Sequence, residues 1–122
     1  MRSNLGAVVA ILILVLGLTA LSCKKKSNPM GPGGGGADVT IDIVADAGLG
    51  AFGGRHTVLV GKTVAWRNTR VPTHTSTADG GAWDTGAIAG GSTSAAIQMN
   101  TPGSFPYHCF FHPSMQDTLV VQ

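Results

Sequence analysis

Glutamate is absent from this chain of 122 residues, charged residues make up only 11% of it, and it has one tyrosine and two cysteines. Leucine is scarce beyond the N-terminal run, occurring at Leu49, Leu59 and Leu119. With so little Leu and no Glu, and with Gly, Thr, Val and Ala plentiful, long amphipathic helices are hard to write and short β-strands are easy. The length allows one domain. Basic charge is also missing where it would matter. Arg2, Lys24, Lys25 and Lys26 carry the formal excess of +2, whereas from Ala37 onward Arg55, Lys62, Arg67 and Arg70 face Asp38, Asp42, Asp46, Asp79, Asp84 and Asp117. That part is mildly acidic and has no basic stripe, which excludes the counterion-release chemistry of a nucleic-acid binder.

Three segments are expected. Residues 1–23 begin with Arg2 and an apolar run from Leu5 to Leu21, the order of an export signal. Thr19-Ala20-Leu21-Ser22-Cys23 resembles a lipoprotein lipobox, with Ala20 in place of the usual Leu, and would make Cys23 a lipidated N-terminus. The other reading is an uncleaved anchor, since the run approaches the roughly 20 residues that span a bilayer. Either way the product is exported to the periplasmic or cell-surface side and tethered to a membrane. Residues 24–36, Lys- and Gly-rich, have no apolar periodicity and read as a flexible linker with a reach of roughly 20 Å.

Residues 37–122 form the expected domain. Val39, Ile41 and Ile43 alternate with Thr40 and Asp42. Thr57 to Val60 and Thr63 to Trp66 flank Gly61-Lys62 as in a hairpin, and further runs lie at Ser94 to Met99, Phe105 to Cys109 and Thr118 to Val121. About seven to eight strands, no evident helix and frequent turn residues indicate an all-β sandwich with Trp66 in its core.

The chemistry concentrates in Tyr107-His108-Cys109-Phe110-Phe111-His112-Pro113-Ser114-Met115. Cys109, His112 and Met115 form a C-x2-H-x2-M loop of soft and borderline metal donors. A thiolate, an imidazole and a weak thioether suit a copper ion that alternates between Cu(I) and Cu(II). One loop cannot surround an ion, and His74, in Val71-Pro72-Thr73-His74-Thr75, is the natural fourth ligand. Two His, one Cys and a long axial Met make a blue-copper set. Tyr107 and Cys109 share one face of a strand and His108 the other, so His108 is expected to be structural. His56 is expected at a turn or surface, and Met30 and Met99 are not expected to be ligands.

With these motifs the chain resembles the cupredoxins, specifically the plastocyanin and amicyanin branch. The resemblance covers nearly all of residues 37–122 through Trp66-Arg67-Asn68, His74, Asp84-Thr85-Gly86, Gly90-Gly91-Ser92 and the run Pro102 to Cys109. It implies a Greek-key β-sandwich holding one type 1 copper ion at one end. His74, Cys109 and His112 would be its equatorial ligands and Met115 its axial ligand. It also implies transient exchange of single electrons with a protein donor and acceptor, through an exposed His112 edge among apolar residues such as Phe111 and Pro113. Two positions depart from the pattern: Phe110, where relatives often have a small hydroxyl residue, and Thr75, where Asn is common. Both normally hydrogen-bond near the ligands and tune the potential.

Other functions fit less well. A Cys23–Cys109 disulfide is permitted in an exported protein but would consume the thiol of the metal loop. A thiol nucleophile would lack oxyanion donors and leave Met115 idle, and enzymatic cupredoxins need further copper sites, so neither an enzyme nor a small-molecule substrate is expected. The leading expectation is a single-electron carrier. The alternative is an exported copper delivery or storage protein using the same site, with zinc at these ligands as a weaker third.

Overall fold

The computed structural model describes residues 36–122. The export signal, the lipobox at Cys23 and most of the linker lie outside the described residues. Seven strands follow: β1 (Val39–Ile43), β2 (His56–Val58), β3 (Thr63–Asn68), β4 (Thr77–Ala78), β5 (Ile97–Gln98), β6 (Gly103–His108) and β7 (Gln116–Val121). They form two sheets, ordered β1-β3-β5 and β2-β7-β6-β4. This is the all-β sandwich expected from the sequence.

Period-two patterning sets which face of each strand is buried. Ile41 and Ile43 point inward from β1 while Thr40 is exposed, and β3 buries Val64, Trp66 and Asn68 while showing Arg67 to solvent. Tyr107 from β6 and Leu119 and Val121 from β7 close the core from the second sheet. Trp66 stacks on Trp83 at 5.5 Å between ring centroids, and Tyr107 packs against Trp66, Trp83 and Phe52. Burial pushes the Tyr107 phenol well above its ordinary value, so it is neutral at any physiological pH.

The run from Thr57 to Trp66 is not the hairpin that its Gly61-Lys62 turn suggested. β2 pairs in parallel with β7 and β3 in parallel with β1, so the turn carries the chain from one sheet to the other. Parallel neighbours cannot be joined by a tight turn, and β2 in the facing sheet is the crossover between β1 and β3. The β1–β3 register runs from Val39↔Val64 to Ile43↔Asn68, so the segments that follow these strands leave at one end of the sandwich. The segment after β1 is tied to the start of β7: Gly50 N–H donates to Gln116 O at 3.2 Å and Gln116 N–H to Gly48 O at 3.3 Å. β6 and β7 are antiparallel, so the loop between them, residues 109–115, lies at that same end.

Candidate metal centre

β6 delivers Cys109 one residue beyond its last paired position, fully buried and, among the described residues, not in a disulfide. The following loop closes on itself through three backbone hydrogen bonds. His112 N–H donates to Cys109 O at 3.2 Å, Met115 N–H to His112 O at 2.8 Å, and Cys109 N–H to Met115 O at 3.1 Å. Two three-residue steps therefore bring Cys109, His112 and Met115 round one tight turn. Met115 is fully buried in the same core cluster as Cys109.

His74 arrives from the segment after β3, and the side chain of buried Asn68 organises that segment. Its amide donates to Pro72 O at 2.7 Å and to Ile88 O at 2.9 Å, and its carbonyl accepts Arg70 N–H at 2.9 Å. His74 then exchanges backbone bonds with Ile88, at 3.1 and 2.7 Å. A side chain at Gly90 would not fit: a Cβ there would lie 2.6 Å from Val71 O and 2.7 Å from Arg70 O. Two residues on from His74, buried Ser76 accepts a hydrogen bond from Trp83 Nε1 at 2.9 Å, and its own N–H donates to Thr85 Oγ1 at 2.9 Å. The Asp84-Thr85-Gly86 motif thus braces the His74 segment.

These elements bring His74, Cys109 and His112 together, with one donor atom from each within 4.8 Å of the others. His74 Nδ1 and His112 Nδ1 each lie 3.6 Å from Cys109 Sγ. A metal–thiolate bond of about 2.3 Å and a metal–imidazole bond of about 2.0 Å enclose such an edge at about 110°, the opening of a four-coordinate site. Two imidazoles and one thiol at this spacing fit one type 1 copper ion. Burial pushes the His74 imidazole below its ordinary pKa, opposed by its hydrogen bond to Asp46, and a lowered value favours the neutral form that a ligand needs. Asp46 is itself held below the usual carboxylate value, chiefly by its hydrogen bond with Arg70.

The two departures noted in the sequence meet in one arrangement. Thr75 N–H donates to Cys109 Sγ at 3.3 Å, and Thr75 Oγ1 accepts Phe110 N–H at 2.8 Å. That hydroxyl also shares a hydrogen bond with Thr77 Oγ1, 3.0 Å away. A single threonine therefore ties the His74 segment to both the thiol and the ligand loop. Phe110 and Phe111 are 69% and 51% exposed, so both rings are surface rather than core. His108 turns away from Cys109 and pairs with Asp79 at 2.6 Å. His56 opens β2 rather than a turn and is half-buried, with its Nδ1 enclosed. The residue that sequence reasoning missed is Asp46, whose Oδ1 lies 3.1 Å from His74 Nε2. Nothing in the local sequence marks it, because the contact depends on the pairing of β1 with β3.

No family profile matches the chain, and no curated protein matches it. Among solved structures its fold is similar to those of amicyanin variants. One, a reduced Cu(I) form at pH 4, is 23% identical over 73% of this chain and 85% of its own, with a TM-score of 0.61. A second reduced variant is 22% identical over 75% of this chain and 92% of its own, also at 0.61. A third, in a Cu(I) form, is 21% identical over 69% and 81%, at 0.59. At these identities the likeness establishes the fold: residues 36–122 have the sandwich of amicyanin.

Proposed function

We propose that this protein is an exported single-electron carrier that holds one type 1 copper ion with His74, Cys109, His112 and Met115. The observation that carries this reading is the buried Cys109 thiol meeting two imidazole nitrogens at 3.6 Å, at one end of an amicyanin-like sandwich. When bound, copper supplies a one-electron couple between Cu(I) and Cu(II). The chain's own contribution is to hold the donors still and dry. His74, Cys109 and Met115 are fully buried, and Thr75 fixes the sulfur and the ligand loop together.

Of the three clustered donors only His112 reaches the surface. Its imidazole gives the route between the site and a docked redox protein, and exposed Phe110 and Phe111 in the same loop offer a small apolar contact. A contact of that size suits the weak, short-lived encounters of electron exchange. The apolar run from Leu5 to Leu21, Cys23 and the Gly-rich linker support a carrier tethered to the outer face of a membrane, free to swing between donor and acceptor.

The test is the visible spectrum of the protein after addition of Cu(II), followed by ascorbate and ferricyanide. An intense absorption that bleaches on reduction and returns on oxidation is expected. Stoichiometric metal binding without colour or reversible cycling would refute the carrier and favour copper delivery or zinc binding.

A further inference from the structure

Three ion pairs run along the seam of β1 and β3: Lys62–Asp38 at 3.1 Å, Arg67–Asp42 at 2.7 Å and Arg70–Asp46 at 3.0 Å. The first two are exposed pairs, a kind that contributes little on its own. The third differs in what it touches. Arg70 grips both oxygens of Asp46, with Nε donating to Oδ1 at 3.1 Å and Nη2 to Oδ2 at 3.0 Å, while Oδ1 also lies 3.1 Å from His74 Nε2. His74 is fully buried, and its other nitrogen, Nδ1, faces Cys109 Sγ. A metal-binding Nδ1 must be free of its proton, which would leave the proton on Nε2, in place to donate to Asp46.

We infer that Asp46, clamped by Arg70, is a positioning residue for His74: it fixes the ring's tautomer and orientation and helps set the reduction potential. This rests on the copper reading above. The geometry is built by the fold. Ile43 pairs with Asn68 at the end of the parallel ladder, and Thr69 binds Ile43 O through both its N–H, at 3.3 Å, and its hydroxyl, at 2.6 Å. That tie brings the overhanging segments side by side, so Asp46 on one meets Arg70 and His74 on the other.

The two partners act on the site with opposite signs. A carboxylate accepting from Nε2–H makes the imidazole a stronger donor and favours the more highly charged metal. The Arg70 guanidinium offsets the carboxylate. Removing the acid should therefore raise the potential, and removing the base should lower it. A merely structural role for the pair would give both variants the same sign, since each breaks the same bond.

The experiment compares Asp46→Asn, Asp46→Ala and Arg70→Gln with the wild-type protein in two states. In the metal-free state, nitrogen-15 NMR of the histidine rings should show His74 protonated at Nε2 in the wild type, with that preference lost in Asp46→Ala. In the copper-loaded state, the Cu(II) affinity of Asp46→Ala should fall by about 10- to 100-fold. If Cu(I) affinity is unchanged, the tenfold limit corresponds to a potential about 59 mV higher. Asp46→Asn, which keeps the shape and an acceptor oxygen, should show a smaller rise, and Arg70→Gln a fall. Equal tautomer populations in the wild type and Asp46→Ala, or shifts of one sign in the acidic and basic variants, would overturn the inference. The ring signals are read without copper, so they test Asp46 even if the wild type fails to take up the metal, a failure that would instead refute the carrier.

Discussion

At the scale of single residues, the site separates holding the ligands from tuning them. Thr75 holds: its backbone and hydroxyl reach Cys109 and Phe110 from a different segment of chain, so a small side chain does the tying expected of Asn in relatives. Phe110 needs no hydroxyl of its own for this, because it contributes only its backbone N–H. In the proposed site Met115 would tune. Its backbone closes the ligand loop through Met115 N–H to His112 O and Cys109 N–H to Met115 O, neither of which involves the side chain. Met115→Gln should therefore leave the loop intact and copper bound. An oxygen donor favours Cu(II) more than a thioether does, so the reduction potential should fall. Spectroelectrochemical titration of wild type and variant checks this. An unchanged potential would show that the Met115 side chain does not reach the copper, whatever its burial.

At the scale of elements, the parallel seam between β1 and β3 is the frame on which the site is hung. Its far end is fastened by Asp38, which accepts Thr63 N–H at 2.8 Å and Thr63 Oγ1–H at 2.9 Å and is paired with Lys62. These contacts, led by the Thr63 backbone bond, hold the Asp38 carboxyl at about 2 rather than 3.8. A depressed carboxylate value stabilises the fold at pH above the unfolded value and loses that contribution as pH falls through the folded one. The window is therefore pH 4 down to 2. Asp38→Asn should lose less stability than the wild type across that interval, as measured by urea unfolding of the metal-free protein at each pH. Parallel slopes for the two proteins would mean that the clamp does not differ between folded and unfolded chains. The strands of this seam were legible in the sequence because Ile41, Ile43, Val64 and Trp66 keep strict alternation. β4, of two residues, is too short to show any period and its surroundings were legible only as motifs, whereas the run expected from Ser94 to Met99 pairs as a strand only at Ile97–Gln98, β5.

At the scale of the whole molecule, the sequence carried the sandwich and the donors but not the connections between distant segments. Cys109, His112 and Met115 are readable because one loop holds them, and His74 because a single histidine stands in a proline-marked segment after Trp66-Arg67-Asn68. The Gly61-Lys62 turn misled because a turn signal says where the chain reverses and not which sheet receives it. Asp46 lies 28 residues from His74, and only the β1–β3 register brings the two together. The same long-range ties bear on stability. Asn68, Thr75 and the Ile88 ladder join the His74 segment to the body of the sandwich and to the ligand loop without calling on a metal. The metal-free protein should accordingly unfold in one cooperative transition, with copper adding stability to a fold already in place. A ligand at 1,000 times its dissociation constant adds about 4 kcal/mol. At about 4–8 °C per kcal/mol for a domain of this size, the melting temperature should rise by on the order of 20 °C. Differential scanning calorimetry of the full chain with and without Cu(II) measures the rise, and Cys109→Ser should abolish most of it. A broad, non-cooperative transition in the metal-free protein would show that the metal builds the site, and an equal rise in Cys109→Ser would place the bound copper elsewhere.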